Sequence, residues 1–278
     1  LIAGCGQTKT DKDYVVTIHT KYGDMIAVLF DETPKHRENF IKLVNDHFYD
    51  SLLFHRVVKG FMIQGGDPLS RHAPSYMMLG MGGPAYTIDA EFNSKYIHER
   101  GALAAARIGD SKNPTKASNG SQFYIVQGSV IPEDQAENIK INMVTGEEAF
   151  KKYGEDPAHK PVIDSLKRFL EQGDAQSHRN LLMKVIPDVE KTTGLKVLKD
   201  YTPEMIKTYT TAGGTPSLDM EYTVFGKVIK GLDVIDSIAQ QPTHLEDRPL
   251  TDIHMTVTVE EMSREAISKE YGYVYPTK

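Results

Sequence analysis

The residues with chemical capacity concentrate in two stretches of the chain. The first reads Phe54-His55-Arg56-Val57-Val58-Lys59-Gly60-Phe61-Met62-Ile63-Gln64-Gly65-Gly66-Asp67-Pro68, and the second Asn119-Gly120-Ser121-Gln122-Phe123-Tyr124-Ile125. The Arg56 guanidinium stays charged at any working pH, and the Gln64 and Gln122 amides each offer donors and an acceptor, which suits a peptide backbone. Arginine on a strand is ordinarily a surface residue, and apolar residues at strand spacing ordinarily pack a core. Residue types alone therefore leave both uses open.

Other chemistries lack their residues. The chain has no G-x-x-x-x-G-K-[ST] phosphate loop and no G-x-S-x-G nucleophile elbow. The 10 histidines form no H-x-x-x-H pair, and the single cysteine, Cys5, can build neither a disulfide framework nor a Cys/His metal set. A net charge of -6 argues against a nucleic-acid partner, which requires a basic surface. Asn119-Gly120-Ser121 fits a glycosylation sequon but lies inside the second stretch and is discounted. No apolar run approaches the roughly 20 residues that span a bilayer.

The elements that must position these residues are mostly short strands. Residues 14–30 read as a hairpin turning at Tyr22-Gly23-Asp24. A helix follows, with Thr33 as N-cap and Pro34 in its first turn, and Phe40, Leu43, Val44 and His47 at core-facing spacing. Strands are expected at 52–58, 61–64, 103–106, 122–126, 223–228 and 253–259, with a second short helix marked by Leu232, Ile235 and Ile238. This pattern predicts a mainly β fold: a closed antiparallel eight-stranded barrel with two helices capping its ends. Residues 129–214 break the pattern and read as a helical insertion within a domain spanning 14–263. One of its helical faces carries Phe150, Ile163, Leu166, Phe169 and Leu170. Residues 264–278 read as a C-terminal tail.

The two stretches resemble the signatures of the cyclophilin-type peptidyl-prolyl cis-trans isomerases. Supporting matches follow in order at Tyr86-Thr87-Ile88 with Glu91-Phe92, and at Leu218-Asp219 with residues 222–228. The resemblance covers roughly residues 14–262, apart from the insertion. It implies the cyclophilin barrel, isomerisation of X–Pro bonds in unfolded or extended polypeptides, and no cofactor. It also implies Arg56, Phe61 and Gln64 as catalytic residues, with Met62, Gly80, Ala106, Arg107, Gln122, Tyr124, Leu218 and Tyr222 binding substrate. A non-catalytic proline-peptide-binding chaperone or scaffold on the same fold is the alternative. The chain is expected to be monomeric.

The chemistry so implied needs no nucleophile or metal. Rotation about a peptide bond costs roughly 18–20 kcal/mol because it breaks amide resonance. An X–Pro bond favours trans by only about 0.5–1 kcal/mol, yet exchanges over tens to hundreds of seconds. A catalyst must therefore hold the twisted bond better than either planar form. The twisted prolyl nitrogen regains its lone pair and accepts a hydrogen bond, which the resemblance assigns to Arg56. Phe61, Met62, Tyr124 and Leu218 would hold the proline ring, while Gln64 and Gln122 would hold the peptide backbone and Arg56. Several positions depart from the family. Tyr222 stands where histidine is frequent, Arg107 for asparagine, Tyr124 for phenylalanine, and Ser217 for the tryptophan of eukaryotic members. The last implies weak cyclosporin binding. Arg107 is expected to alter substrate choice more than rate.

The segment Leu1-Ile2-Ala3-Gly4-Cys5 resembles the lipobox of bacterial lipoproteins. It implies a lipid on Cys5, a polar tether to residue 13, and a site in the bacterial cell envelope, periplasmic or surface-facing.

Overall fold

A computed structural model describes residues 11–244 and 246–275. Two compact units result: one takes in the chain up to Val130 and from Thr211 onward, and the other is Ile131–Thr210. Cys5 and its motif lie outside the described residues.

The first unit is a barrel. Its strands are β1 (Lys12–Thr20), β2 (Gly23–Leu29), β3 (Leu52–Val58), β4 (Met62–Gly65), β6 (Ala102–Ala105), β8 (Phe123–Val126), β9 (Val224–Lys230) and β10 (His254–Ser263). They close in the order β1-β10-β3-β4-β8-β6-β9-β2, every neighbouring pair antiparallel. Closure leaves no unpaired strand edge. A separate two-stranded sheet joins β5 (Thr87–Ile88) to β7 (Ser118–Asn119). Two residues per strand give no periodicity, so this pair was invisible in the sequence.

All eight barrel strands overlap the segments expected from the sequence. Side chains pointing inward form one core with Phe54, Val57, Ile63, Leu103, Phe123 and Phe225 among its members. Two helices supply the ends of that core. Helix α1 (Pro34–Asn45) contributes Phe40, Leu43 and Val44, and α6 (Leu232–Ala239) contributes Val234, Ile235 and Ile238. His47, expected on the core face of α1, is instead exposed. The helix ends at Asn45, and His47 takes a left-handed φ of 54° in the turn that delivers Tyr49 to the core.

Residues 264–278, expected as a tail, begin with helix α7 (Arg264–Tyr271). Ser263 caps it by accepting from the Ala266 N–H at 3.1 Å, and Ile267 buries against Val15 and Val28. One buried apolar residue in two turns is too weak a period to announce a helix.

The second unit is helical: α2 (Met143–Tyr153), α3 (Lys160–Glu171), α4 (Ala175–Thr193) and most of α5 (Pro203–Thr211). Its core gathers Ala149, Tyr153, Ile186, Val189 and Val197. The single face expected to join Phe150 to Leu170 is split between two helices. Helix α2 stops at Gly154, and Asp156 caps a turn at Pro157 before α3 begins. Leu166 is buried, whereas Leu170 is 62% exposed.

Candidate active site

The site is built on the outer face of β3, β4 and β8. Phe54 and Val57 both belong to the inner core, so strict alternation from Phe54 would send Arg56 inward as well. The β3–β4 register shifts between Phe54 and Arg56. This irregularity turns Arg56 onto the outer face, opposite Gln64, while Val57 still packs inside. On β4 and β8 plain alternation suffices. Ile63, Phe123 and Ile125 face the core, and Met62, Tyr124 and Val126 form a second apolar cluster outside it.

Arg56, Phe61, Met62, Gln64, Ala106, Arg107, Tyr124, Leu218 and Tyr222 line one cleft of about 290 Å³. The structure thus brings together nine of the eleven residues expected at the catalytic and binding site. The other two, Gly80 and Gln122, stand behind it in a chain of hydrogen bonds. Arg56 Nη1 donates to Gln64 Oε1 at 3.5 Å, and Gln64 Nε2 donates to Gln122 Oε1 at 3.0 Å. Gln122 Nε2 in turn donates to the Gly80 and Gly82 carbonyls at 3.0 and 2.6 Å. With both amides engaged in sequence, their O and N ends are assigned by the chain itself.

Residues without an assigned role in the sequence reading anchor this chain. Asp67 is fully buried and accepts from the N–H groups of Leu69, Gly80 and Gly82 at 2.8, 2.6 and 3.2 Å. Gly82 is required there, because a Cβ would meet Asp67 Oδ1 at 2.0 Å. Asp247 holds the other side of Arg56, accepting from Nε at 3.3 Å, while its carbonyl accepts from the Val57 N–H at 2.8 Å. Asp247 lies 191 residues along the chain from Arg56, so only the closed barrel reveals the pair.

Beneath the cleft runs a buried triad. The Asp219 carboxylate can only accept, so His98 Nδ1 carries the proton between them at 2.8 Å. His98 Nε2 then meets the Tyr124 hydroxyl at 2.9 Å. Burial pushes the Tyr124 hydroxyl far above its ordinary pKa, so it stays protonated and donates. Tyr124→Phe would keep the ring and strand a buried histidine nitrogen, at a cost of about 1–3 kcal/mol. Urea unfolding of the variant at neutral pH should show that loss; an unchanged midpoint would refute it.

At the far end of the cleft, Ala106 has its backbone committed: its N–H donates to the Gln122 carbonyl and its carbonyl accepts from the Asn119 N–H. The Arg107 backbone has no such partner among the described residues. Its side chain, by contrast, is tied down. Nε donates to the Glu221 carbonyl at 2.8 Å, the guanidinium pairs with Asp110 and Glu221, and its carbon lies 4.4 Å from the centre of the Tyr222 ring. Arg107 therefore fixes the aromatic wall that Tyr222 presents.

Comparison with known proteins identifies the family. The family model described as Cyclophilin type peptidyl-prolyl cis-trans isomerase/CLD matches residues 15–145 and 205–260. The chain belongs to the cyclophilin-type peptidyl-prolyl cis-trans isomerases. Isomerisation of X–Pro peptide bonds is the activity of this cyclophilin domain.

Relatives extend the match. A Staphylococcus haemolyticus protein assigned as a peptidyl-prolyl cis-trans isomerase is 28% identical, covering 87% of this chain and 89% of its own. A Streptococcus pyogenes protein assigned as a bifunctional phosphatase/peptidyl-prolyl cis-trans isomerase is 31% identical over 86% of this chain. The chain spans only 37% of that larger protein. A cyclophilin-type isomerase from Cryptosporidium parvum superposes with a TM-score of 0.52 at 21% identity, covering 90% of this chain and 98% of its own. It was also crystallised in the presence of the dipeptide Ala-Pro.

Proposed function

We propose that this cyclophilin isomerises X–Pro bonds in unfolded or extended polypeptides, with Arg56 as the donor to the prolyl nitrogen. The observation that carries the proposal is the Arg56 guanidinium at one wall of an apolar cleft, held by Gln64 and Asp247. Phe61, Met62, Tyr124 and Leu218 restrain the proline ring, as their shared outer cluster supports. Gln122 keeps Gln64 in register for the substrate backbone, and the unpaired Arg107 backbone pairs with residues before the proline. The groups are preorganised, so the twisted bond is stabilised without reorganisation at the moment of reaction. A cis–trans assay on a proline tetrapeptide tests this directly, and absence of turnover by the folded protein would reject it.

The same reading places the protein in a bacterial cell envelope through a lipid on Cys5. The support is the lipobox-like Leu1-Ile2-Ala3-Gly4-Cys5. Among the described residues no helix is long and apolar enough to cross a membrane. Mass spectrometry of protein from its native membrane fraction should find a diacylglyceryl-modified Cys5. An unmodified thiol there would end the proposal.

A further inference from the structure

A second, larger cleft of about 410 Å³ adjoins the first, and Arg56 lines both. Its other walls include Met77, Met78, Leu79, Glu246 and Arg248. The apolar side is fixed in place. Arg248 is only 5% exposed, and its guanidinium donates to the carbonyls of Ala73, Pro74 and Met77 at 3.2, 2.9 and 3.1 Å. A bond to Asp252 at 2.9 Å adds a carboxylate to these contacts. A buried cation that gathers three loop carbonyls gives residues 73–79 a defined course. The side chains that loop presents are nevertheless left in the open: Tyr76 is 87% exposed and Met78 69%. Large apolar groups held rigidly at the surface beside a peptide site mark a place where something apolar docks.

The occupant follows from the strand order, given the proline site proposed above. The proline cleft lies over β4 and β8, and residues before the proline run toward Ala106 and Arg107, beyond β8. Arg56 is on β3, on the opposite flank of β4. Substrate leaving the proline in the other direction therefore passes Arg56 and meets the methionine-lined cleft. One to two strand spacings of about 4.8 Å correspond to two or three extended residues of about 3.3 Å each. We infer that this cleft binds a large apolar side chain at the second or third residue after the proline of an extended substrate. Methionine walls adapt to differing apolar shapes, which suits an enzyme that takes many unfolded chains.

The test uses the full chain and peptides with a common Ala-Ala-Pro-Ala start, varied as alanine, leucine or lysine at the second and third positions after proline. Both kcat/KM and Kd are measured, for wild type and for Met77→Ser with Met78→Ser. Wild type should favour leucine over alanine by about tenfold, the scale of a filled apolar pocket. The double variant should lose most of that preference while handling the all-alanine peptide like wild type. Met78→Ser alone, at an exposed side chain, should show a smaller loss and guards against misfolding. Equal handling of leucine and alanine by wild type, a preference for lysine, or a leucine preference that survives in the variants would each overturn the inference. Should the all-alanine peptide not be turned over at all, the isomerase reading fails instead, and the Kd series still decides whether the cleft selects apolar residues.

Discussion

Arg56→Ala should lower kcat/KM for a proline tetrapeptide by about 10²–10³-fold, the usual cost of deleting one preorganised donor to a transition state. In the planar ground states the prolyl nitrogen has no free lone pair, so Arg56 gains its bond only as the peptide twists. The loss should therefore appear mostly in kcat, because an interaction confined to the transition state leaves substrate binding almost untouched. Stability should hardly move. The Arg56 side chain is 41% exposed and its partner Asp247 40%, and ion pairs of that exposure contribute about 0–1 kcal/mol. Arg56→Lys should recover little activity. One ammonium cannot meet Gln64, Asp247 and the prolyl nitrogen with the spread of a planar guanidinium. A kinetic assay paired with thermal unfolding decides the matter. Near-wild-type turnover by Arg56→Ala with an unchanged melting temperature would remove Arg56 from the mechanism.

How much of this site could be read from the sequence depended on how local its geometry is. Met62, Gln64 and Tyr124 lie on strands where alternation alone decides the face, so the stretches that carry them already specified their placement. Arg56 is different. Its outward direction depends on a register shift against β4, and no period in residues 52–58 announces one. The long-range partners were still less accessible. Asp247 reaches Arg56 from the loop before β10, and His98 joins Tyr124 to Asp219 across 26 and 121 residues of chain. A lone histidine before a strand gives no local sign of such a triad. The resemblance assigns Gly80 and Gln122 to the site, yet only the hydrogen bonds separate residues that line the cleft from residues that brace it. The insertion divides along similar lines. Its helical character followed from composition, but the break between α2 and α3 turns on Gly154 and the Asp156-Pro157 cap, short signals inside a long apolar pattern.

Acid should destabilise the protein in a defined window, and His55 should be the main cause. His55 is 3% exposed, and neither ring nitrogen has a hydrogen-bond partner among the described residues. Burial lowers its pKa to about 4; the Asp67 charge pulls the other way, and the charges of Arg56 and Arg248 add to the lowering. In the unfolded chain the ring titrates near its ordinary value of about 6.5. Between those two values the unfolded state binds a proton that the folded state refuses, so folding stability falls as pH falls. The contribution is fully present above pH ~6.5 and is lost progressively down to pH ~4, amounting to about 3 kcal/mol at ~1.4 kcal/mol per unit. His36 adds to the loss with the same sign, since burial lowers its pKa against the opposing pull of Glu91. Urea midpoints at pH 7 and pH 4 measure the total for wild type. In His55→Phe, which fills the buried site with a ring that cannot titrate, the drop between the two pH values should shrink by most of that 3 kcal/mol. The comparison is made within each protein, so any packing cost of the larger ring cancels. An acid drop as large in His55→Phe as in wild type would assign the sensitivity to other groups.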